Sequence, residues 1–439
     1  KKKIELNKKR PEPILVGTVA AGRNDVTETS FSDVNRQISM QFEQLQSAVF
    51  ARMVLKVGDK RYWEQWAKDV ADIVQRQYNR INRLITEDKQ HQNTFEEFLS
   101  GLQKNINPSI SKEEAVEMLS QHIITKPVFD ALFEDYSFVE NNSISVSMQK
   151  MLDLLETGAI EKDTRLLHKF YESVKMRASG IDNAEGKQKI IIELYDKFFK
   201  TAFPKMVERL GIVYTPVEVV DFILHSVDDI LNQEFRRRLT DENVHVLDPF
   251  TGTGTFITRL LQSGLIKDKD LQRKYTQELH ANEIVLLAYY IAAVNIENVY
   301  HDLLGEGEDY QTFEGVCLTD TFQLNETEVN EQLFSEMFPK NSVRVVAQKK
   351  APIKVIIGNP PYSVGQKSAN DNASNQEYPI LDAKIADTYV AKSITTMNKA
   401  NYDAYIKAFR WSSDRINKDG GIVAFVSNGS WLDGNTTSG

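Results

Sequence analysis

The chain has 439 residues, 26% charged and 41% hydrophobic, with a formal net charge of −9. That length implies about two or three domains with real cores, and the acidic balance argues against a phosphate-gripping surface running over the whole chain. The single Cys317 permits no intramolecular disulfide and fits the reduced cytoplasm, the seven scattered histidines lack the spacing of a zinc site, and the absence of any run of about twenty apolar residues excludes a spanning helix and a membrane partner.

The chain opens with Lys1, Lys2, Lys3, Lys8, Lys9 and Arg10. Residues 1–30 read as a solvated basic and polar linker rather than a nucleic-acid arm. Val34, Ile38, Phe42, Leu45, Val49 and Met53 then recur at helical spacing. After the Gly58-Asp59 break, Trp66, Val70, Ile73, Val74, Ile81, Leu84 and Ile85 form a second amphipathic face. Ser111 and Glu114 make a capping box ahead of Ala115-Val116-Glu117-Met118-Leu119, and a further helix is expected from Ser147 to Thr157, stopping near Gly158. Glycine and proline are sparse and strand-like alternation is absent, so residues 31–205 read as an all-α domain. Tyr62, Trp63 and Trp66 sit at helical spacing and read as core rather than as a base-stacking platform. Such a domain could be a coupler, a dimer interface or a DNA clamp, and composition does not choose among them.

From residue 206 the pattern changes. Val244 to Leu247 is a short β-branched run with Asp248 at its carboxyl end, followed by Pro249-Phe250-Thr251-Gly252-Thr253-Gly254-Thr255. Gly252 and Gly254 allow a sharp turn and close approach to a ligand, and Phe256, Leu260 and Leu261 resume helical spacing. Any strand-to-helix corner can use glycine in this way, so the turn alone is a weak signal. No Gly-Lys-Ser/Thr follows, which removes a Walker loop and nucleotide hydrolysis from consideration. A second strand is expected to end at Glu283, either as an acceptor for two ribose hydroxyls or as an acid at a helix N-terminus. A third, Val316-Cys317-Leu318, leads to Asp320.

The specific signal is Val355-Ile356-Ile357-Gly358-Asn359-Pro360-Pro361-Tyr362. Two prolines remove two backbone donors and keep the loop open, so the Asn359 side-chain oxygen and the Pro360 carbonyl can both accept from one planar amine. Tyr362 offers a ring for stacking. The polar residues between 363 and 388 read as a loop, either one that orders around a substrate or a solvated insertion. Gly420-Gly421-Ile422-Val423-Ala424-Phe425-Val426 is the next strand.

Asp-Pro-Phe-Thr-Gly-Thr-Gly-Thr resembles the S-adenosylmethionine loop of class I methyltransferases. With Asn-Pro-Pro-Tyr in the same chain, the sequence resembles the amino-group DNA methyltransferases of the adenine-directed type. The order of Tyr214-Thr215-Pro216, the glycine loop, Glu283, Asp320 and the catalytic loop is similar to their gamma arrangement. The resemblance implies an α/β fold, the class I (Rossmann-like) methyltransferase with an N-terminal all-α domain. It implies S-adenosylmethionine as cofactor, held by Tyr214, Thr215 and Pro216 at its methionine end. Asp248, Pro249, Phe250, Thr251, Gly252, Gly254 and Thr255 would surround its centre, Glu283 the ribose and Asp320 the adenine. Asn359, Pro360, Pro361 and Tyr362 would handle the target base, with no metal ion.

A narrower resemblance rests on Ser363 to Asn372, Tyr389-Val390-Ala391 and Tyr402-Asp403-Ala404-Tyr405-Ile406-Lys407-Ala408-Phe409-Arg410-Trp411. These are similar to the methyltransferase part of type ISP restriction-modification enzymes, single chains that join a nuclease, a helicase-like motor, a helical coupler, a methyltransferase and a target-recognition domain. It implies a coupler over 31–205, a catalytic domain over 206–439, double-stranded DNA as partner, motor and nuclease domains in the same parent protein, and a recognition domain outside this chain. The chain is accordingly expected to be a fragment. Asn-Pro-Pro-Tyr is also similar to loops that methylate protein glutamine or RNA amines. A module that holds cofactor only to couple a translocase is a third possibility.

Overall fold

The computed structural model describes residues 60–132, 138–155, 215–305, 309–326, 337–362, 377–393, 399–416, 418–427 and 429–433. Expectations for residues 1–59, for the 205–206 boundary, for Tyr214 and for 363–376 lie outside these residues, as do the side chains of Tyr62, Trp63 and Trp66.

Among the described residues, five helices form the N-terminal layer: α1 (Lys60–Glu87), α2 (Lys89–Asn105), α3 (Lys112–Leu132), α4 (Phe138–Asn141) and α5 (Ser143–Leu154). The apolar stripe of α1 is buried at Ile73, Val74, Ile81 and Ile85, as its spacing requires. The capping box forms: the Glu114 backbone N–H donates to Ser111 Oγ at 3.2 Å and the Ser111 N–H donates to Glu114 Oε2 at 2.8 Å. The expected helix from Ser147 begins four residues earlier, at Ser143. Asn142 caps it by accepting the N–H groups of Ile144 and Ser145, and Ser143, Ser145 and Ser147 are buried rather than solvated.

The C-terminal layer is a parallel sheet. Its strands are β1 (His245–Asp248), β2 (Leu279–Glu283), β3 (Val316–Leu318), β4 (Ile353–Gly358) and β5 (Ile422–Phe425), in the order β3-β2-β1-β4-β5. Helices α6 (Val217–Phe235), α7 (Thr255–Gln262), α8 (Asp268–Arg273), α9 (Leu286–Leu304), α10 (Pro339–Lys350), α11 (Pro379–Thr388), α12 (Ala404–Arg415) and α13 (Ser430–Asp433) connect or flank them. Buried parallel strands read as continuous apolar runs, and Val355-Ile356-Ile357 is fully buried. The chain order reverses between β1 and β4, so the crevice of this sheet opens beyond their carboxyl ends. The N-terminal all-α layer followed by this parallel sheet is the expected class I methyltransferase fold.

Residues 59–439 form one compact unit. Helix α9 joins the two layers, and residues Leu286 to His301 are all buried, as expected of a helix apolar on every side. Tyr290 Oη lies 3.0 Å from His122 Nδ1 of α3, and Asn142 Nδ2 donates to Tyr289 Oη at 3.3 Å. The Phe129 ring meets Tyr290 edge-on at 5.8 Å. Burial holds His122 at a pKa of about 3, so this polar seam contains a neutral imidazole.

Candidate active site

Asp248 ends β1 with its side chain wholly buried. Its Oδ1 accepts the Phe250 N–H at 3.1 Å, whereas Oδ2 has no hydrogen-bond partner within the protein. Burial raises its pKa to about 8, and the nearby Glu283 adds to the rise. Beyond it the loop folds on itself: Thr251 Oγ1 donates to the Asp248 carbonyl at 2.9 Å and the Gly254 N–H donates to the Thr251 carbonyl at 2.9 Å. Gly252 and Gly254 take φ of 56° and 86°, in the left-handed region. At Gly254 a Cβ would also press on Ala292 Cα of α9 at 3.2 Å, so glycine there serves both the turn and the helix packing.

Glu283 ends β2 and ties this loop to the next strand. Its Oε1 accepts the N–H groups of Ile284 and Val285 at 2.9 and 2.7 Å, ahead of α9, and its Oε2 accepts the Gly252 N–H at 2.8 Å. It is therefore an acid near a helix N-terminus and a wall of the glycine loop at once. Burial raises its pKa to about 7. Asp320 follows β3 and is also buried, which raises its pKa against four donors that lower it. Oδ1 accepts from the Phe322 and Gln323 N–H groups at 2.9 and 3.4 Å, and Oδ2 from Asn107 Nδ2 and Tyr378 Oη at 2.5 and 2.8 Å.

Asn359 follows β4, which lies beside β1. Gly358 lies between this loop and Asp248: a Cβ there would stand 2.8 Å from Asp248 Oδ1, so only glycine lets the loop pass over that carboxyl. Asn359 Nδ2 donates to Thr215 Oγ1 at 3.0 Å, while its Oδ1 lies 2.8 Å from Tyr362 Oη. The Tyr362 hydroxyl has one proton and two acceptors in reach, Asn359 Oδ1 and the Val426 carbonyl at 2.9 Å. The amide is thus fixed with nitrogen toward the α6 entry and oxygen toward Tyr362, and that oxygen retains a free lone pair. Phe250 packs near both Phe322 and Phe425, with ring centroids at 5.4 and 6.1 Å, and Phe322 meets Tyr378 edge-on at 5.2 Å. These four rings form an aromatic row past the strand ends.

Asp248, Pro249, Phe250, Thr251, Gly252, Gly254, Glu283, Asp320, Asn359, Pro360, Pro361 and Tyr362 lie at the carboxyl ends of β1–β4 or in the turns that follow them, and Thr255 opens α7. Thr215 joins them through Asn359, and Pro216 precedes the first turn of α6. Asn107, Gly358 and Tyr378 were missed by sequence reasoning. Only Gly358 carried a signal, a glycine closing an apolar strand directly before the Asn-Pro-Pro-Tyr loop. Among the described residues no group of three or more His, Cys, Asp or Glu could hold a metal ion, and no helix is long and apolar enough to cross a membrane. Cys317 is buried with its thiol pKa raised to about 12, which leaves no thiolate for covalent methyl transfer.

Residues 62–186 match the family model described as type ISP restriction-modification enzyme, coupler domain, and residues 259–439 match that of the Eco57I restriction-modification methylase. These matches make the chain similar to the coupler and methyltransferase parts of type ISP restriction-modification enzymes. A nuclease-deletion mutant of the type ISP enzyme LlaGI, solved with a DNA substrate mimic, is 51% identical over 90% of this chain and 32% of its own, with a TM-score of 0.81. The ATP-dependent type ISP enzyme LlaBIII bound to DNA is 50% identical over 91% of this chain and 27% of its own, TM-score 0.82. A DrdV–DNA complex is 34% identical over 86% of this chain and 36% of its own, TM-score 0.76. The chain spans about a third of the length of these relatives. No curated protein gave a significant sequence match.

Proposed function

We propose that this chain is the coupler and methyltransferase part of a type ISP enzyme that transfers a methyl group from S-adenosylmethionine to the N6 amine of adenine in double-stranded DNA. The observation that supports this is the close approach of Gly358 to Asp248, where an added Cβ would stand 2.8 Å from Oδ1: the loop read as accepting a planar amine and the loop read as holding a nucleoside cofactor follow neighbouring strands at the topological switch point.

The residues present fit the cofactor. A buried carboxyl oxygen without a partner within the protein, Asp248 Oδ2, leaves a polar group for a ligand to satisfy, and the turn at Gly252 and Gly254 leaves no Cβ in its way. Thr215 and Pro216, with Tyr214, would hold its methionine end, Asp248 to Thr255 its centre, Glu283 its ribose and Asp320 its adenine. When bound, S-adenosylmethionine supplies an electrophilic methyl group on a sulfonium.

The chain's own work is orientation. Asn359 Oδ1 and the Pro360 carbonyl accept both hydrogens of the amine, which turns its lone pair out of conjugation with the ring and toward the cofactor loop. Thr215 and Tyr362 hold the Asn359 amide so that the acceptor does not need to reorganise during the reaction. A base inside a duplex cannot reach this loop, so the adenine is flipped out, with the Tyr362 ring as its stacking surface. The amine loses its proton late, and no strong general base is required.

In this arrangement residues 31–205 are the coupler and 206–439 the catalytic domain. The partners are double-stranded DNA and the motor and nuclease domains of the parent protein, in the cytoplasm. The test is transfer of label from S-adenosylmethionine by the full-length protein to plasmid DNA, RNA and protein lysate in parallel. N6-methyladenine in DNA alone is expected. Label in RNA or protein would reassign the same loop to another amine.

A further inference from the structure

We propose that the helical layer supplies part of the cofactor pocket: Asn107 and Tyr378 are positioning residues that hold Asp320 where it receives the 6-amino group of the cofactor's adenine. This rests on the assignment of S-adenosylmethionine made above. Asn107 lies in the turn between α2 and α3, 213 residues before Asp320, and its Nδ2 donates to Asp320 Oδ2 at 2.5 Å. Tyr378, at the start of α11, donates to the same oxygen at 2.8 Å. Together they bring donors from two distant segments onto one carboxylate that ends the adenine side of the crevice.

The turn carrying Asn107 is built onto the sheet rather than resting against it. Thr319 Oγ1 donates to the Asn105 carbonyl at 3.1 Å, the Asp320 N–H to the Ile106 carbonyl at 3.4 Å, and Ser342 Oγ to Asn105 Oδ1 at 2.8 Å. Asn107 is itself held, because its Oδ1 accepts the Ser109 N–H at 2.8 Å. Asn105 and Asn107 are both buried, so these bonds form away from competing water. A movement of the helical layer that lifts this turn therefore withdraws a donor from Asp320.

The carboxylate still has room for the amine. A carboxylate offers about four lone-pair directions, and three of Asp320's four donors sit at 2.9 Å or less. The fourth, the Gln323 N–H at 3.4 Å, is long and yields its direction to a better-placed donor. With Asn107 and Tyr378 fixing Oδ2, that remaining direction on Oδ1 is the one left to a ligand. Cofactor binding and docking of the α2–α3 turn consequently favour each other, and the coupling is reciprocal.

The test is titration of S-adenosylhomocysteine into the protein carrying Asn107→Ala, Tyr378→Phe, Asp320→Ala or the Asn107→Ala/Asp320→Ala pair. Asn107→Ala and Asp320→Ala are each expected to raise Kd about tenfold, and the pair to be no more than about twofold weaker than Asp320→Ala alone. Tyr378→Phe keeps the ring packing and should raise Kd by about threefold or more. The hypoxanthine analogue of the ligand, which carries a carbonyl where adenine has its amine, should bind wild type and Asn107→Ala alike, whereas loss of folding would weaken both ligands together. Unchanged affinity in Asn107→Ala and Tyr378→Phe, or additive losses in the pair, would overturn the proposal while wild-type binding kept the cofactor assignment intact. No binding by wild type would overturn both.

Discussion

Asn359 and Thr215, 144 residues apart, share a hydrogen bond of 3.0 Å from the Asn359 amide nitrogen to the threonine hydroxyl. It fixes which end of the amide faces the crevice. Amide nitrogen is a donor and would repel the amine that Asn359 is proposed to receive, so on that reading the orientation matters as much as the residue.

Thr215→Val should therefore lower kcat by about tenfold, because a freed amide spends time in the wrong orientation. Cofactor KM should rise by a smaller factor, through the proposed place of Thr215 at the methionine end. Steady-state kinetics at varied cofactor separates the two parameters, and a change confined to KM would mean that the bond to Asn359 does not orient the amide during transfer.

Gly358→Ala puts a methyl group 2.8 Å from Asp248 Oδ1 between two buried strands. Destabilisation of about 1–3 kcal/mol is expected, together with weakened cofactor binding. Gly252→Ala meets nothing within 4 Å and should cost only its left-handed backbone, about 1–2 kcal/mol. Gly254→Ala adds pressure on Ala292 and should cost more than Gly252→Ala. Denaturant unfolding of the three variants checks that order.

Asp248 and Glu283 have pKa values raised from 3.8 to about 8 and from 4.5 to about 7. Each holds a proton in the folded protein that the unfolded chain has released, so their contribution to stability is complete below about pH 4 and is lost as pH rises toward 7–8. Asp248→Asn should flatten that decline in thermal unfolding between pH 5 and pH 8. An unchanged slope would mean that Asp248 is ionised in the folded protein across this range.

The same shifts bear on the ligand. In its proposed role Glu283, whose carboxyl already takes three backbone N–H groups, would accept a ribose hydroxyl well only as a carboxylate, so binding of S-adenosylhomocysteine should release protons and tighten as pH rises through about 7. Calorimetry in two buffers of different ionisation enthalpy measures the protons released. None released at pH 6.5 would remove Glu283 from the ribose.

The ends of β1 and β4 were legible in the sequence because each closes an apolar run on a polar residue: Val246-Leu247-Asp248, Ile357-Gly358-Asn359. The capping box at Ser111 and Glu114 was legible for a similar reason, since its spacing is local. The start of α5 was not, because Ser143, Ser145 and Ser147 read as polar surface although they are buried against neighbouring helices. Relationships across the fold left no local trace. Nothing near Asn107 indicates that its amide meets a carboxylate 213 residues away, and nothing in the polar stretch before Tyr378 indicates that its hydroxyl shares that carboxylate.

The most direct test of the central claim is Asn359→Ala in the full-length protein, with methyl transfer to DNA and affinity for S-adenosylhomocysteine measured on one preparation. Transfer should fall by about a hundredfold or more while affinity stays within about threefold, since the proposed role of the side chain is to receive the base and not the cofactor. Transfer that persists, or affinity that collapses with it, would contradict the division of this crevice into an amine-accepting loop and a cofactor loop.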